Sequence, residues 1–170
     1  MNFPRIFAAA RRTVPLAVLL AACCPAANDA LPDVTFRTSQ GETVRTGDMK
    51  GDLVFVDLWA TTCKTCGAMR SAIERLNQRL AAQGIRFLSV NEDADRETWK
   101  EYMVHNPSPL IEVWDDHGSF RKTMRVEGLP AAFAVDRGGQ VRWRSPKWTG
   151  DAEATASAQL DSLLREPPPK

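Results

Sequence analysis

Residues 53–66 have the sequence LVFVDLWATTCKTC, and this stretch decides the fold. Its first seven residues are mostly β-formers between turn-forming neighbours, which predicts a strand buried on both faces. Apolar residues then recur at helical spacing over residues 69–80 until Gly84 ends the run, which predicts a helix. Residues 85–90 form a second apolar strand, parallel to the first if the connection is the usual right-handed crossover. The stretch therefore predicts a βαβ unit with Cys63 at the junction between strand and helix.

The rest of the chain predicts further elements around this unit. They are a leading hairpin from residues 34–36 and 42–45, a helix at 97–106, an extended segment at 109–113, a hairpin from 131–135 and 140–143, and a last helix from Asp151 that turns Leu160, Leu163 and Leu164 inward.

Composition excludes several classes of protein. The chain has 170 residues with 22 Lys plus Arg against 21 Asp plus Glu, so it has no basic excess for binding a nucleic acid. With 44% hydrophobic and 25% charged residues it is an ordinary globular protein, and its length predicts one domain. A chain of this size can build a core without a disulfide or metal. Its four cysteines therefore need an explanation from chemistry or processing.

The first 22 residues predict an export signal. They contain three arginines and no acid, followed by an apolar stretch that is too short to cross a bilayer as a helix. The sequence Leu20-Ala21-Ala22-Cys23 resembles the lipobox of bacterial lipoproteins, in which the cysteine is acylated and becomes the mature N-terminus. The alternative is cleavage near Ala27 or Ala30, which would leave a soluble periplasmic protein.

This gives a simple organisation along the chain. Residues 1–22 are predicted to be the signal and 23–32 a linker. Residues 33–165 are the folded domain, and 166–170, which contain three successive prolines, are a disordered tail.

The folded part then holds two cysteines, Cys63 and Cys66. In an oxidising compartment such a pair can cycle between dithiol and disulfide. A structural zinc site normally takes four ligands, and His105 and His117 are isolated in the sequence, which argues against zinc.

Asn91, Asp93 and Asp95 alternate like the start of a calcium loop. Such a loop needs glycine where Arg96 stands and a bidentate glutamate where Tyr102 stands. We therefore expect a solvated loop between strand and helix rather than a calcium site.

Four motifs together resemble those of thioredoxin-fold proteins. They are WATTCKTC at 59–66, VEGLP at 126–130, VDRGG at 135–139, and Gly150. With the leading hairpin and the export signal, the chain is most similar to the TlpA/ResA-like branch of bacterial extracytoplasmic thiol-disulfide oxidoreductases, from about residue 31 to residue 164. The resemblance implies an α/β thioredoxin fold, a central mixed β-sheet flanked by helices, with a small N-terminal β-hairpin extension.

The two cysteines are expected to have different roles. A thiolate at a helix N-terminus is stabilised by the helix dipole and by free backbone donors, so Cys63 is the expected nucleophile. Lys64 should lower the pKa of the Cys63 thiol further. Cys66, one turn into the helix and more shielded, would resolve the mixed disulfide.

The resemblance implies further site residues. Asp57, six residues before Cys63, resembles the buried aspartate of thioredoxin that accepts the proton of the second cysteine; the alternative is a core carboxylate without a role. Pro130 corresponds to the cis proline of the family, with an ordinary trans proline as the alternative, and the backbone of Leu129 would pair with an extended substrate. Trp59 and Lys64 are predicted to bind substrate beside Leu129.

Some residues depart from the family pattern. Thr62 stands in place of a second tryptophan, Met69 in place of a glutamate and Ser71 in place of a proline, which affects the expected specificity and potential rather than the exchange reaction. Trp143 and Trp148, interleaved with basic residues, favour an edge strand over a partner-binding surface.

The resemblance implies an exported thiol-disulfide oxidoreductase that reduces disulfides in extracytoplasmic proteins and needs no bound cofactor. Its electrons would come from a membrane thiol-disulfide relay of the DsbD or CcdA type. The alternative is a copper(I) carrier that uses Cys63 and Cys66 with Met69 as a soft third ligand.

Overall fold

The computed structural model describes residues 29–145 and 147–168, and within them one mixed sheet of seven strands carries helices on both faces. The strands are β1 (Thr35–Thr38), β2 (Thr43–Arg45), β3 (Leu53–Trp59), β4 (Ile85–Asn91), β5 (Ile111–Trp114), β6 (Ala131–Val135) and β7 (Val141–Ser145), and their order across the sheet is β2-β1-β5-β4-β3-β6-β7.

Strand pairing confirms the predicted thioredoxin fold. The central strand β3 is parallel to β4 and antiparallel to β6, so the sheet is mixed, and β5 continues the parallel part beyond β4. The predicted leading hairpin is also confirmed, since β1 and β2 pair antiparallel, and β1 joins them to the sheet through β5.

The helices in the described residues are α1 (Cys66–Leu80), α2 (Arg96–His105), α3 (Ser119–Thr123) and α4 (Ala152–Arg165). Gly84 ends the segment after α1 with a φ of 91°, a left-handed conformation that glycine adopts without a steric penalty. The short helix α3 and the 3-10 turn at Thr46–Met49 were not predicted, because segments this short show too little periodicity to be recognised.

Alternate residues of β3 face two separate cores. Leu53, Phe55 and Trp59 pack with residues of α1, α2 and α4, whereas Val54, Val56 and Leu58 pack with the α3 side. All seven residues of β3 are buried, as the sequence predicted. Asp57 follows the first alternation and therefore lies on the same face of the sheet as α1.

The edge position of β7 agrees with the interpretation of its tryptophan and arginines. Trp143 stacks on Phe55 of the core with ring centroids 6.1 Å apart, and Arg144 lies over the Phe133 ring. Residues 29–31 pair alongside the start of β7, and Glu166 binds the guanidinium of Arg142. Both ends of the described chain are thus attached to this edge of the sheet.

None of the helices in residues 29–145 and 147–168 is long and apolar enough to cross a membrane. Cys23 and the predicted signal lie outside the described residues.

Candidate active site

The cysteine pair lies in the turn between β3 and α1. Cys63 and Cys66 form a disulfide with Cα atoms 5.4 Å apart. The helix begins at Cys66, whose N–H donates to the carbonyl of Cys63, so Cys63 lies in the turn just before the helix rather than in its first turn. Cys63 is partly exposed and Cys66 is 1% exposed, which is the order expected of a nucleophile and a resolving thiol.

Asp57 is buried in β3, on the face of the sheet that α1 covers. Its neighbours in the sheet are Ser89 on β4 and Ala132 on β6, and the Ser89 hydroxyl donates to Oδ2 of Asp57 over 3.1 Å. The pKa of Asp57 is raised to about 8, mainly by burial and secondly by the negative charge of Glu112. Arg70 and the Ser89 hydrogen bond act in the opposite direction. A carboxyl that titrates near neutral pH is suited to proton transfer.

A buried ion pair lies next to Asp57 and was missed in the sequence. Arg70, four residues after Cys66 on the same face of α1, donates to both carboxylate oxygens of Glu112 on β5, over 2.7 and 3.4 Å. Both side chains are 7% exposed. The one signal in the sequence was the presence of two opposite charges at inward-facing positions of a helix and a strand.

Trp59 also contacts this ion pair. The Arg70 guanidinium lies 3.9 Å from the centroid of the Trp59 indole, a cation–π contact, and the Tyr102 ring is 5.3 Å from the same indole. Trp59 is only 1% exposed, and its role in substrate binding stays a prediction. Its alternation with Asp57 on β3 turns it into the core.

The segment at 91–95 is not the solvated loop that we expected. Asn91 and Asp93 are both buried, and the Asp93 carboxylate accepts from the N–H and the hydroxyl of Thr61 and from the Asn91 amide. Asp95 instead caps α2 by accepting from two of its backbone N–H groups. The alternating polar residues therefore order the turn that carries Cys63.

In the loop before β6 the bond between Leu129 and Pro130 is cis, the isomer found in the family that the sequence resembles. Pro130 is buried and Leu129 partly buried. Arg121 of α3 fixes the approach to this bond by donating to the carbonyls of Val126 and Glu127.

Arg121 also lines a cleft of about 570 Å³ between this loop and the end of β4. Glu92 lines the same cleft, where burial and the nearby charge of Asp115 raise its pKa to about 7. Its Oε2 lies 3.7 Å from Nη1 of Arg121. The cleft thus lies between residues 92–94, which follow β4, and Val126 of the loop that precedes the cis bond.

The remaining predicted residues are accounted for as follows. Lys64 and Thr62 are exposed, and Met69 is completely buried among the core residues of α1. His105 ends α2. Among the described residues no cluster of three or more His, Cys, Asp or Glu side chains could hold a metal ion.

The cysteine pair, the buried aspartate and the cis proline on this mixed sheet define a thioredoxin-like protein. The redoxin family model matches residues 26–160, which is most of the chain, so the chain belongs to the redoxin family.

Individual relatives are similar to parts of the chain. The thiol:disulfide interchange protein DsbE of Escherichia coli K12 is 33% identical over 96 residues, which cover 56% of this chain and 50% of that protein. The thiol-disulfide oxidoreductase ResA of Geobacillus kaustophilus is 26% identical over 65% of this chain and 64% of that protein. The chain thus matches about half the length of the DsbE relatives. A crystal structure assigned as DsbE from Chlorobium tepidum has a TM-score of 0.76 at 23% identity, covering 81% of this chain and 96% of that one, which shows the shared fold.

We predict that Asp57→Asn stabilises the oxidised protein at pH 8. The pKa of Asp57 is raised from 3.8 to about 8, so between these values the unfolded chain releases a proton that the folded chain retains. Folding therefore becomes less favourable as the pH rises, and an uncharged asparagine avoids this loss. Urea unfolding should give about 2–5 kcal/mol more stability for the variant at pH 8 and a vanishing difference near pH 4.

Asp48→Asn is the matched control, because the Asp48 side chain is 72% exposed, and it should follow the wild-type pH dependence. A constant difference between Asp57→Asn and wild type from pH 4 to pH 8 would contradict the raised pKa.

Proposed function

We propose that this protein is an exported thiol-disulfide oxidoreductase that reduces disulfides in extracytoplasmic proteins. The observation that carries the proposal is the disulfide between a partly exposed Cys63 and a buried Cys66, above a strand that buries Asp57. Membership of the redoxin family and similarity to DsbE and ResA support the same chemistry.

In the proposed cycle the dithiol form meets a substrate disulfide. The Cys63 thiolate attacks one substrate sulfur, forms a mixed disulfide and displaces the other substrate sulfur as a thiolate. Cys66 then gives its proton to Asp57, and its thiolate attacks the Cys63 sulfur. The Cys63–Cys66 disulfide forms, the second substrate sulfur leaves, and two electrons have passed to the substrate.

Three further residues serve the first half of this cycle. Lys64 is exposed next to Cys63 and favours its thiolate, although water and salt screen a charge in that position. Leu129, before the cis bond to Pro130, offers backbone groups for an extended substrate segment. The Arg121 contacts to the loop support this role by fixing the two carbonyls that precede Gly128.

The copper(I) alternative would need Met69 as a ligand. Met69 is completely buried in the core, which supports a packing role and gives the alternative no further support. Tight stoichiometric copper(I) binding by the reduced protein, combined with no disulfide exchange, would favour the carrier.

We predict that Cys63→Ser abolishes the reduction of insulin disulfides, because it removes the exposed nucleophile. Cys66→Ser should instead accumulate mixed disulfides through Cys63, since the resolving thiol is gone. Non-reducing electrophoresis with mass spectrometry of the trapped adducts measures both. The double variant is the control and should trap nothing; equal trapping by the two single variants would reverse or remove the assigned roles.

We predict that the cysteine pair rests in the dithiol form in a bacterial periplasm that contains a DsbD-type relay. A protein that donates electrons must be kept reduced by such a relay, and deleting the relay should leave the disulfide form. Alkylation of free thiols after acid quenching measures both states. A pair that stays fully oxidised with the relay present would indicate an oxidant.

We also propose the chain organisation predicted above, with a signal at 1–22 and a linker at 23–32. The mature protein would then be held at the membrane by lipid on Cys23. A triacylated N-terminus exceeds the two-chain requirement for stable anchoring.

We predict that Cys23→Ser moves the protein from the membrane fraction to the soluble periplasmic fraction, because it removes the acylation site. Cys24→Ser is the matched control and should stay in the membrane fraction. Mass spectrometry of the mature N-terminus gives the direct measurement, and an unmodified end near residue 28 or 31 would contradict lipid anchoring.

A further inference from the structure

When Asp57 is ionised, the hydrogen bonds around it have one possible direction. A guanidinium has five N–H donors and no acceptor, so the contact of 3.1 Å between Arg70 Nη1 and Ser89 Oγ makes the serine oxygen the acceptor. The single proton of the Ser89 hydroxyl is then free to donate, and within the described residues its acceptor is Oδ2 of Asp57, 3.1 Å away. Arg70 thus orients Ser89, and Ser89 occupies one of the two oxygens of Asp57.

We propose that Arg70 and Ser89 are positioning residues for the proton acceptor: their directed chain occupies Oδ2 of Asp57, and Oδ1 takes the proton of Cys66. Glu112 completes the arrangement by holding the Arg70 guanidinium through two hydrogen bonds. This inference rests on the proposed function, since it concerns the step in which Cys66 resolves the mixed disulfide.

The proton and electrons in that step balance within the chain and its substrate. The S–H bond of Cys66 breaks and an O–H bond forms at Oδ1 of Asp57. The Cys66 thiolate forms the bond to Cys63 while the bond from Cys63 to the substrate sulfur breaks, and the substrate leaves as a thiolate that solvent protonates. Asp57 later returns its proton to solvent, so the carboxyl is regenerated and Ser89 keeps its own proton throughout.

The groups around Asp57 act on its proton affinity in opposite directions. From β5 the negative charge of Glu112 favours the protonated acid, and Glu74 of α1 adds to this more weakly. Arg70 of α1 and the Ser89 hydroxyl of β4 favour the carboxylate. Tyr102 of α2 lies against Trp59, with ring centroids 5.3 Å apart, and acts on Arg70, whereas β6 and the buried face of α4 offer only apolar side chains. Removing Ser89 or Glu112 should therefore move the titration of Asp57 in opposite directions.

The test is the titration of Asp57 in the reduced protein, followed by carboxyl carbon NMR after ¹³C labelling of aspartate. Ser89→Ala removes a hydrogen bond to a charged group, so the midpoint should rise by about one pH unit, a tenfold change in proton affinity. Glu112→Gln removes a negative charge and keeps the size of the side chain, so the midpoint should fall by about one unit. Glu153→Gln of α4 is the matched control, because it breaks an exposed ion pair to Arg75, which lies on α1 like Arg70. It should leave the midpoint of Asp57 unchanged.

The resolving step should move with the titration. Stopped-flow decay of the mixed disulfide should show its pH profile displaced upward in Ser89→Ala and downward in Glu112→Gln, while the first attack by Cys63 stays unchanged. Ser89→Thr keeps the hydroxyl and should restore the wild-type profile. If Ser89→Ala does not fold, the test rests on Glu112→Gln. In that variant the Asp57 midpoint should fall, and the pH profile of mixed-disulfide decay should move down with it.

Two results would overturn the inference. Unmoved midpoints, or shifts of the same sign in both variants, in a protein that still exchanges disulfides would remove the positioning role alone. A wild-type protein that forms no mixed disulfide through Cys63 would overturn the proposed function and the positioning role with it.

Discussion

The burial of one carboxyl group at the centre of the sheet is the constraint on which the site depends. Asp57 lies on a strand whose residues are all buried, so its charge is unfavourable there unless other groups compensate for it. The compensation comes from Ser89 on β4 next to it and from Arg70 of α1, whose guanidinium is held in turn by Glu112 on β5. Arg70 and Cys66 lie on the same helix, so the proposed proton acceptor and the thiol that would release the proton are held by shared packing. Pairing of β3, β4 and β5 in one register is what brings these residues together.

The two loops beside the cysteines are fixed in a comparable way by polar side chains from neighbouring elements. Asp93 holds the turn before Cys63 through Thr61, and Arg121 holds the approach to the cis proline through two carbonyls. Glu92 links them, since its N–H donates to the carbonyl of Trp59 and its carboxylate faces Arg121. Loops at a reactive site have few apolar contacts of their own. Hydrogen bonds to their backbone therefore provide the order that packing supplies elsewhere.

The sequence predicted the regular elements and the cysteines but not the polar contacts, and the physical reason differs for each. The βαβ unit around Cys63 was evident because strand and helix periods are local properties of the chain. The segment at 91–95 was misinterpreted because its polar pattern is the same whether Asp93 faces water or, as here, accepts hydrogen bonds from Thr61, which is 32 residues away. Arg70 and Glu112 are 42 residues apart, and only the strand order shows that they meet. The motif around Trp59 predicts a contact with substrate but not the position of the side chain, which the alternation of β3 turns inward.

The charges near the cysteines therefore differ in how strongly they act on neighbouring ionisable groups. Lys64 is exposed beside Cys63, and water and salt weaken its influence on the thiolate. Arg70 and Glu112 are buried, where screening is slight and each charge acts strongly on its neighbours. A buried ion pair adds little stability over a well-packed apolar pair, so stability alone gives weak grounds for placing one there. Its position next to Asp57 supplies another reason, because in the proposed cycle these buried charges act on the proton acceptor of the second half, whereas Lys64 acts on the nucleophile of the first.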